Sequence, residues 1–106
     1  MKNFGDLEEK YASYEDANIL LVPIPFDGTS TYGKGSDKGP EAIIASSKYL
    51  ELYDIETDSE VFRKGIHITQ PINENSNPEK LVQEIEKSIS NYLQKEKFII
   101  LKMVEL

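Results

Sequence analysis

The sequence predicts an α/β fold in which three strands and two helices alternate, in the order βαβαβ, around a parallel sheet. Three observations predict it. Ile19–Ile24 and Phe98–Leu101 are continuously apolar, as strands covered on both faces are. Ile66-His67-Ile68-Thr69 alternates with period two and reads as a short strand. Between these runs lie two stretches with apolar residues at helical steps, each opened by a proline, Pro40 and Pro78. Alternating strands and helices imply βαβ units with right-handed crossovers.

The chain has 106 residues, enough for one small domain with a modest core. Its 19 acidic and 12 basic side chains give a formal charge of −7, which argues against a nucleic-acid or anionic-membrane surface. It has no cysteine, so disulfides and thiolate metal sites are excluded. No apolar run approaches the roughly 18 residues of a membrane span. Residues 1–18 carry Asp6, Glu8, Glu9, Glu15 and Asp16, unlike a signal peptide. The expectation is a cytoplasmic protein without nucleic-acid or membrane partners.

Residues 1–18 are polar, with Phe4, Leu7, Tyr11 and Tyr14 three or four apart. That spacing suits one amphipathic helical stripe, which must pack on the domain body or on a partner. We expect an N-terminal arm over 1–18, lying on a neighbouring surface, and the α/β domain over 19–106. Pro23 lacks a backbone donor and belongs at the end of the first strand or at an edge. After the first strand, Pro40 and Glu41 open a helix running to Leu50, with Ile43, Ile44, Ser47 and Leu50 on one face. Tyr49–Asp54 reads either as an extension of that helix or as a short strand with Leu50 and Leu52 inward. Tyr49 and Tyr53, four apart, read as packing residues. Residues 57–64 form a charged connection, and 71–77 a loop. Asn77-Pro78-Glu79 is a capped helix start, and Leu81, Val82, Ile85, Ile89, Tyr92 and Leu93 predict a helix from 78 to about 95.

The loop between the first strand and the first helix, residues 25–39, is long for a compact domain, and such loops are commonly functional. Ligands of open parallel sheets bind outside the carboxyl ends of the strands, which is where this loop begins. Within it, Gly28-Thr29-Ser30-Thr31-Tyr32-Gly33-Lys34 matches the first positions of a phosphate-binding loop. Gly35 stands where the magnesium-binding Ser or Thr is needed, and the helix opens on Pro40 rather than on the lysine. Glycines serving positive φ explain the stretch better than nucleotide binding does. His67, the one histidine, points opposite Ile66 and Ile68 and reads as structural.

Pro25-Phe26-Asp27-Gly28-Thr29, followed by Gly35-x-x-x-Gly39-Pro40-Glu41-Ala42-Ile43, resembles the N-terminal motif of the ureohydrolases, the family of arginase, agmatinase and formiminoglutamase. Leu52-Tyr53-Asp54 and the later order of elements fit as well, up to about Leu101, and the nearest resemblance is to agmatinase. The resemblance implies the N-terminal βαβαβ portion of a three-layer α/β/α arginase-like fold. It implies a family reaction in which two Mn²⁺ ions activate a hydroxide that attacks a guanidino carbon, as in hydrolysis of agmatine to putrescine and urea. The family's first metal-ligand segment, Gly-Gly-Asp/Glu-His, follows the third strand; here the chain reads Leu101-Lys102-Met103-Val104-Glu105-Leu106. The resemblance therefore transfers no catalytic residue and no metal ligand, and predicts that this chain binds no manganese and is inactive. It transfers only a substrate-rim loop: Asp27, Gly28, Thr29, Gly35, Gly39 and Pro40. The alternatives are a small binding module that pairs through exposed sheet edges, Phe98–Leu101 being one, or a phosphate-loop nucleotide binder. The expected partners are a second copy or the missing remainder of the fold.

Overall fold

The structure is a computed structural model that describes residues 3–27, 35–74 and 76–102. Three parallel strands form the sheet. β1 (Ile19–Pro23) lies in the middle, between β2 (Ile66–Ile68) and β3 (Phe98–Lys102). Ile19 is level with Ile66 on one side and with Phe98 on the other. The Thr69 N–H donates to Leu21 O and the Ile72 N–H to Pro23 O, so the odd residues of β1 address β2. Pro23 closes β1 beyond the last residue of β2, where its missing donor interrupts no ladder. The chain winds from β1 to β2 on one side, then returns past β1 to β3 on the other. That reversal puts the switch point of the sheet outside the carboxyl ends of β1 and β3.

Helix α1 (Gly39–Ser46) starts one residue before Pro40 and passes into a 3-10 turn, Ser47–Tyr49. Ile44 and Ser47 are buried as expected. Ser47 is satisfied there, because its hydroxyl accepts from the Gly5 N–H at 2.7 Å and donates to Ile44 O. The chain then departs from both readings of Tyr49–Asp54. It forms neither a longer helix nor a strand, and Leu50 is 57% exposed. Tyr49 and Tyr53 are exposed as well, so they are not packing residues. The reason is a competing turn. Asp54 pairs with Ser59 across an isolated bridge, and its carboxylate accepts from the Glu56 N–H and the Thr57 hydroxyl at 3.1 and 2.8 Å. Tyr53 donates its phenol to Asp58, which holds that phenol above its ordinary pKa. The charged connection ends in another 3-10 turn, Val61–Lys64.

Helix α2 (Pro78–Leu93) has the expected start. The Asn77 carboxamide oxygen accepts from the Glu79 and Lys80 N–H groups at 2.7 and 3.4 Å. The helix stops short of 95, because the Lys95 and Glu96 N–H groups turn back to Tyr92 O and Leu93 O and Glu96 takes φ +58°. Leu81 is buried, while Val82 and Leu93, at the margins of the predicted stripe, are exposed. Leu81 joins Val22, Ile24, Phe26 and Ile72 in the core, with Ile85, Tyr92 and Ile99 packed against it.

Residues 3–18 do not form the predicted helix. They make two 3-10 turns, Phe4–Asp6 and Glu9–Tyr11, because Gly5 and Asp6 both take positive φ. Leu7, Ala12 and Ala17 are buried against this chain's own body. Tertiary bonds fix the segment. Lys97 Nζ donates to Tyr14 O at 2.7 Å and to Ala17 O at 2.6 Å, and its ammonium lies 4.9 Å from the Tyr14 ring centroid. Lys97→Met keeps the aliphatic stem but leaves two carbonyls without their donor. It is expected to cost about 1–2 kcal/mol, read as a lower urea-denaturation midpoint. Among the described residues no helix is long and apolar enough to cross a membrane.

Candidate functional site at the carboxyl edge of the sheet

The residues leaving β1 keep the alternation of a strand for one more turn of the pattern. Val22, Ile24 and Phe26 are buried in the core, whereas Pro25 and Asp27 are only half-buried. Phe26 therefore anchors the start of the loop, and Asp27 is the first half-buried polar residue after it. One Asp27 carboxylate oxygen accepts the Gly35 N–H at 2.8 Å, tying together the two ends of segment 28–34. Gly35 takes φ +127°, a conformation that other residues rarely adopt, so its glycine is required by the backbone. A 3-10 turn, Ser36–Lys38, then leads into α1. Gly39 differs: its φ is −58°, an ordinary helical value, so it is not there for positive φ. Pro40 is buried.

Asp27→Ala removes a charged acceptor and leaves the Gly35 N–H without it. The expected loss is about 1–2 kcal/mol, checked by the denaturation midpoint against the parent chain.

Of the residues predicted to shape a substrate rim, Asp27 and Gly35 are thus joined directly, and Gly39 and Pro40 open the helix that follows. Gly28 and Thr29 lie outside the described residues, as does the phosphate-loop-like stretch to Lys34. A cleft of about 450 Å³ opens beside this loop, between Pro23, Pro25, Pro40, Ile44 and the loop after β2, with Asp37 and Glu41 supplying carboxylates. A second cleft, of about 520 Å³, lies at the carboxyl end of β2 and is lined by Glu9, His67, Thr69 and Gln70.

His67 packs against the N-terminal segment. Its Nδ1 lies 2.8 Å from Ala12 O, and a carbonyl only accepts, so Nδ1 carries the proton. The ring also packs edge-on to Tyr14 at 5.5 Å. Both contacts hold the N-terminal segment on β2. Among the described residues no three His, Cys, Asp or Glu side chains gather in a group that could hold a metal ion. The described residues alone do not supply a two-manganese centre, which needs several carboxylates and imidazoles converging at strand ends.

Sequence reasoning does not single out Phe26 or Lys97 as structural keys, and it places Ser47 on the inward helix face without revealing its partner Gly5. The signal for Phe26 was present: Val22-Pro23-Ile24-Pro25-Phe26-Asp27 alternates apolar residues with prolines and an acid. Ser47 and Lys97 act through residues about 40 and 80 positions away, which no local pattern reveals.

The described geometry is a βαβαβ unit with a long first loop at its carboxyl edge, and known proteins share it. The family model described as the arginase family matches residues 17–101, so the chain belongs to the arginase family. The N(1)-aminopropylagmatine ureohydrolase of Synechocystis sp. is 35% identical over 98 residues, covering 87% of this chain and 32% of that protein. The crystal structure of agmatine ureohydrolase of Thermoplasma volcanium superposes with a TM-score of 0.80 at 25% identity, over 95% of this chain and 33% of that one. Formiminoglutamase of Trypanosoma cruzi, a structure with Mn²⁺, shares the fold at a TM-score of 0.69 and 20% identity. The chain spans about a third of the length of the relatives it matches.

Proposed function

We propose that the chain is the N-terminal βαβαβ part of an agmatinase-like ureohydrolase, and that these 106 residues alone do not hydrolyse a guanidino substrate. The observation that carries the reading is the arginase-family match across 17–101, in a chain that covers only a third of its relatives. In this reading the loop from Pro25 to Pro40 forms one wall of the substrate rim. Asp27 and Gly35 fix its base, and α1 supports its far end. The chemistry of the whole would be the manganese-assisted hydrolysis of agmatine, or of its aminopropyl derivative, in the cytoplasm. The names of the relatives share the agmatine guanidino group, and that group is the substrate class the reading supports. The histidine and carboxylate ligands for two manganese ions would have to come from polypeptide other than this chain.

The test is urea release by the purified chain with Mn²⁺ and either agmatine or N(1)-aminopropylagmatine. The expected rate equals that of a control without protein. Urea above that control that disappears on chelation of manganese would contradict the inactivity of the isolated chain.

A further inference from the structure

We propose that Asp27 is a positioning residue: through its bond to the Gly35 N–H it fixes the separation of the two walls of the cleft beside the loop, and so sets how tightly the rim of a ureohydrolase site holds its guanidino substrate. The inference rests on the ureohydrolase reading above.

A continuous run of contacts carries it. Phe26 is buried in the core, so the residue next to Asp27 is fixed there. The Asp27 carboxylate accepts the Gly35 N–H at 2.8 Å. Gly35 in turn accepts the Lys38 N–H through its carbonyl at 2.9 Å, at the foot of α1. Pro40 and Ile44 are buried and seat that helix on the body. The core is thus tied to α1 through one side chain and one glycine. All of these residues lie within 17–101, the span that matches the family.

The cleft of about 450 Å³ lies between the two segments that this bond joins. Pro23 and Pro25 line it from the strand side, and Asp37, Pro40 and Glu41 from the helix side. Pro25 precedes Asp27 by two residues, and Asp37 follows Gly35 by two. Proline fixes its own φ, so the strand-side wall is stiff. The helix-side wall hangs on Gly35, at φ +127°. Among the described residues nothing lies within 4 Å of the place a Cβ would take there, so hydrogen bonds rather than packing hold Gly35. This role needs an acceptor at position 27 and no charge. A rim wall touches the substrate alike before and during reaction, so its displacement raises KM and leaves kcat.

The test has two arms. In the 106-residue chain, exchange of the Gly35 amide is followed by NMR. Asp27→Ala is expected to speed it about tenfold or more, and Asp27→Asn, whose carboxamide oxygen still accepts, to leave it within about threefold. In a chimera, residues 17–101 replace the matching segment of the Synechocystis N(1)-aminopropylagmatine ureohydrolase. There Asp27→Ala is expected to raise KM about fivefold or more with kcat within about twofold, and Asp27→Asn to keep the unsubstituted KM. Gly35→Ala is strained at its positive φ and is expected to raise KM too, with the double variant no worse than the worse single one. Unchanged Gly35 exchange in Asp27→Ala overturns the proposal, as does an active chimera whose KM that substitution leaves unmoved. So does Asp27→Asn as damaging as Asp27→Ala, which would make the carboxylate itself a substrate contact. A chimera without these substitutions that releases no urea is a different failure: it overturns the ureohydrolase reading, and the proposal falls with it.

Discussion

Replacing Phe26 by alanine is expected to destabilise the chain by about 3–5 kcal/mol, as truncation of a buried aromatic does. Phe26 is 2% exposed and sits in the single described core cluster, against strand, loop and α2 residues. A domain of this size has only about 5–15 kcal/mol in total. The variant is therefore expected to lose most of its cooperative unfolding transition, or to show it at a much lower urea midpoint. Ile55→Ala is the matching control. Ile55 is 78% exposed, and the expected change is within about 0.5 kcal/mol. The contrast tests whether the residues after β1 belong to the core or to the loop. A Phe26→Ala chain as stable as the control would place Phe26 outside the core.

Gly65→Ala is expected to be comparably harmful, for a different reason. Gly65 takes φ +84°, and an added Cβ would lie 2.7 Å from Ala17 Cα and 3.2 Å from Tyr11 O. Those are backbone contacts, so no side chain can swing aside. The same residue accepts the Ile19 N–H through its carbonyl, so movement of Gly65 disturbs the start of β1. Strain at positive φ together with the clash is expected to cost about 3 kcal/mol or more. Restoring space by Ala17→Gly is expected to recover little, because Ala17 Cα and Tyr11 O remain. Full recovery in the double variant would show that only the Ala17 methyl group was in the way.

These residues mark what the sequence reveals and what it conceals. β1 announces itself because both of its faces are buried and demand apolar side chains in an unbroken run, and β3 carries the same kind of run although Phe98, Ile100 and Leu101 are exposed. α2 announces itself through Asn77 and Pro78, whose capping chemistry is local. The order β2-β1-β3 is not local, and no run of residues encodes it. Phe4, Leu7, Tyr11 and Tyr14 have helical spacing, yet Gly5 and Asp6 break the backbone, and bonds from Ser47, His67 and Lys97 fix it in turns. Leu50 and Leu52 look like inward residues only until Asp54 closes its own turn with side-chain hydrogen bonds.

The candidate site was legible as a loop but not as a geometry. The glycines mark where the chain must turn sharply, and Gly35 does so. Gly39 does not, because the helix begins on it. That Asp27 reaches Gly35 required the fold, since the pair spans a segment whose length alone fixes no contact.

We propose that this chain supplies the N-terminal third of a ureohydrolase and none of its metal ligands. The most direct test is an exchange: residues 17–101 of this chain replace the matching segment of the Synechocystis N(1)-aminopropylagmatine ureohydrolase. The expected result is a folded chimera that releases urea with Mn²⁺ and that loses no metal stoichiometry relative to the parent enzyme. A folded chimera of parental size and circular dichroism that binds fewer manganese ions, or releases no urea, would contradict it.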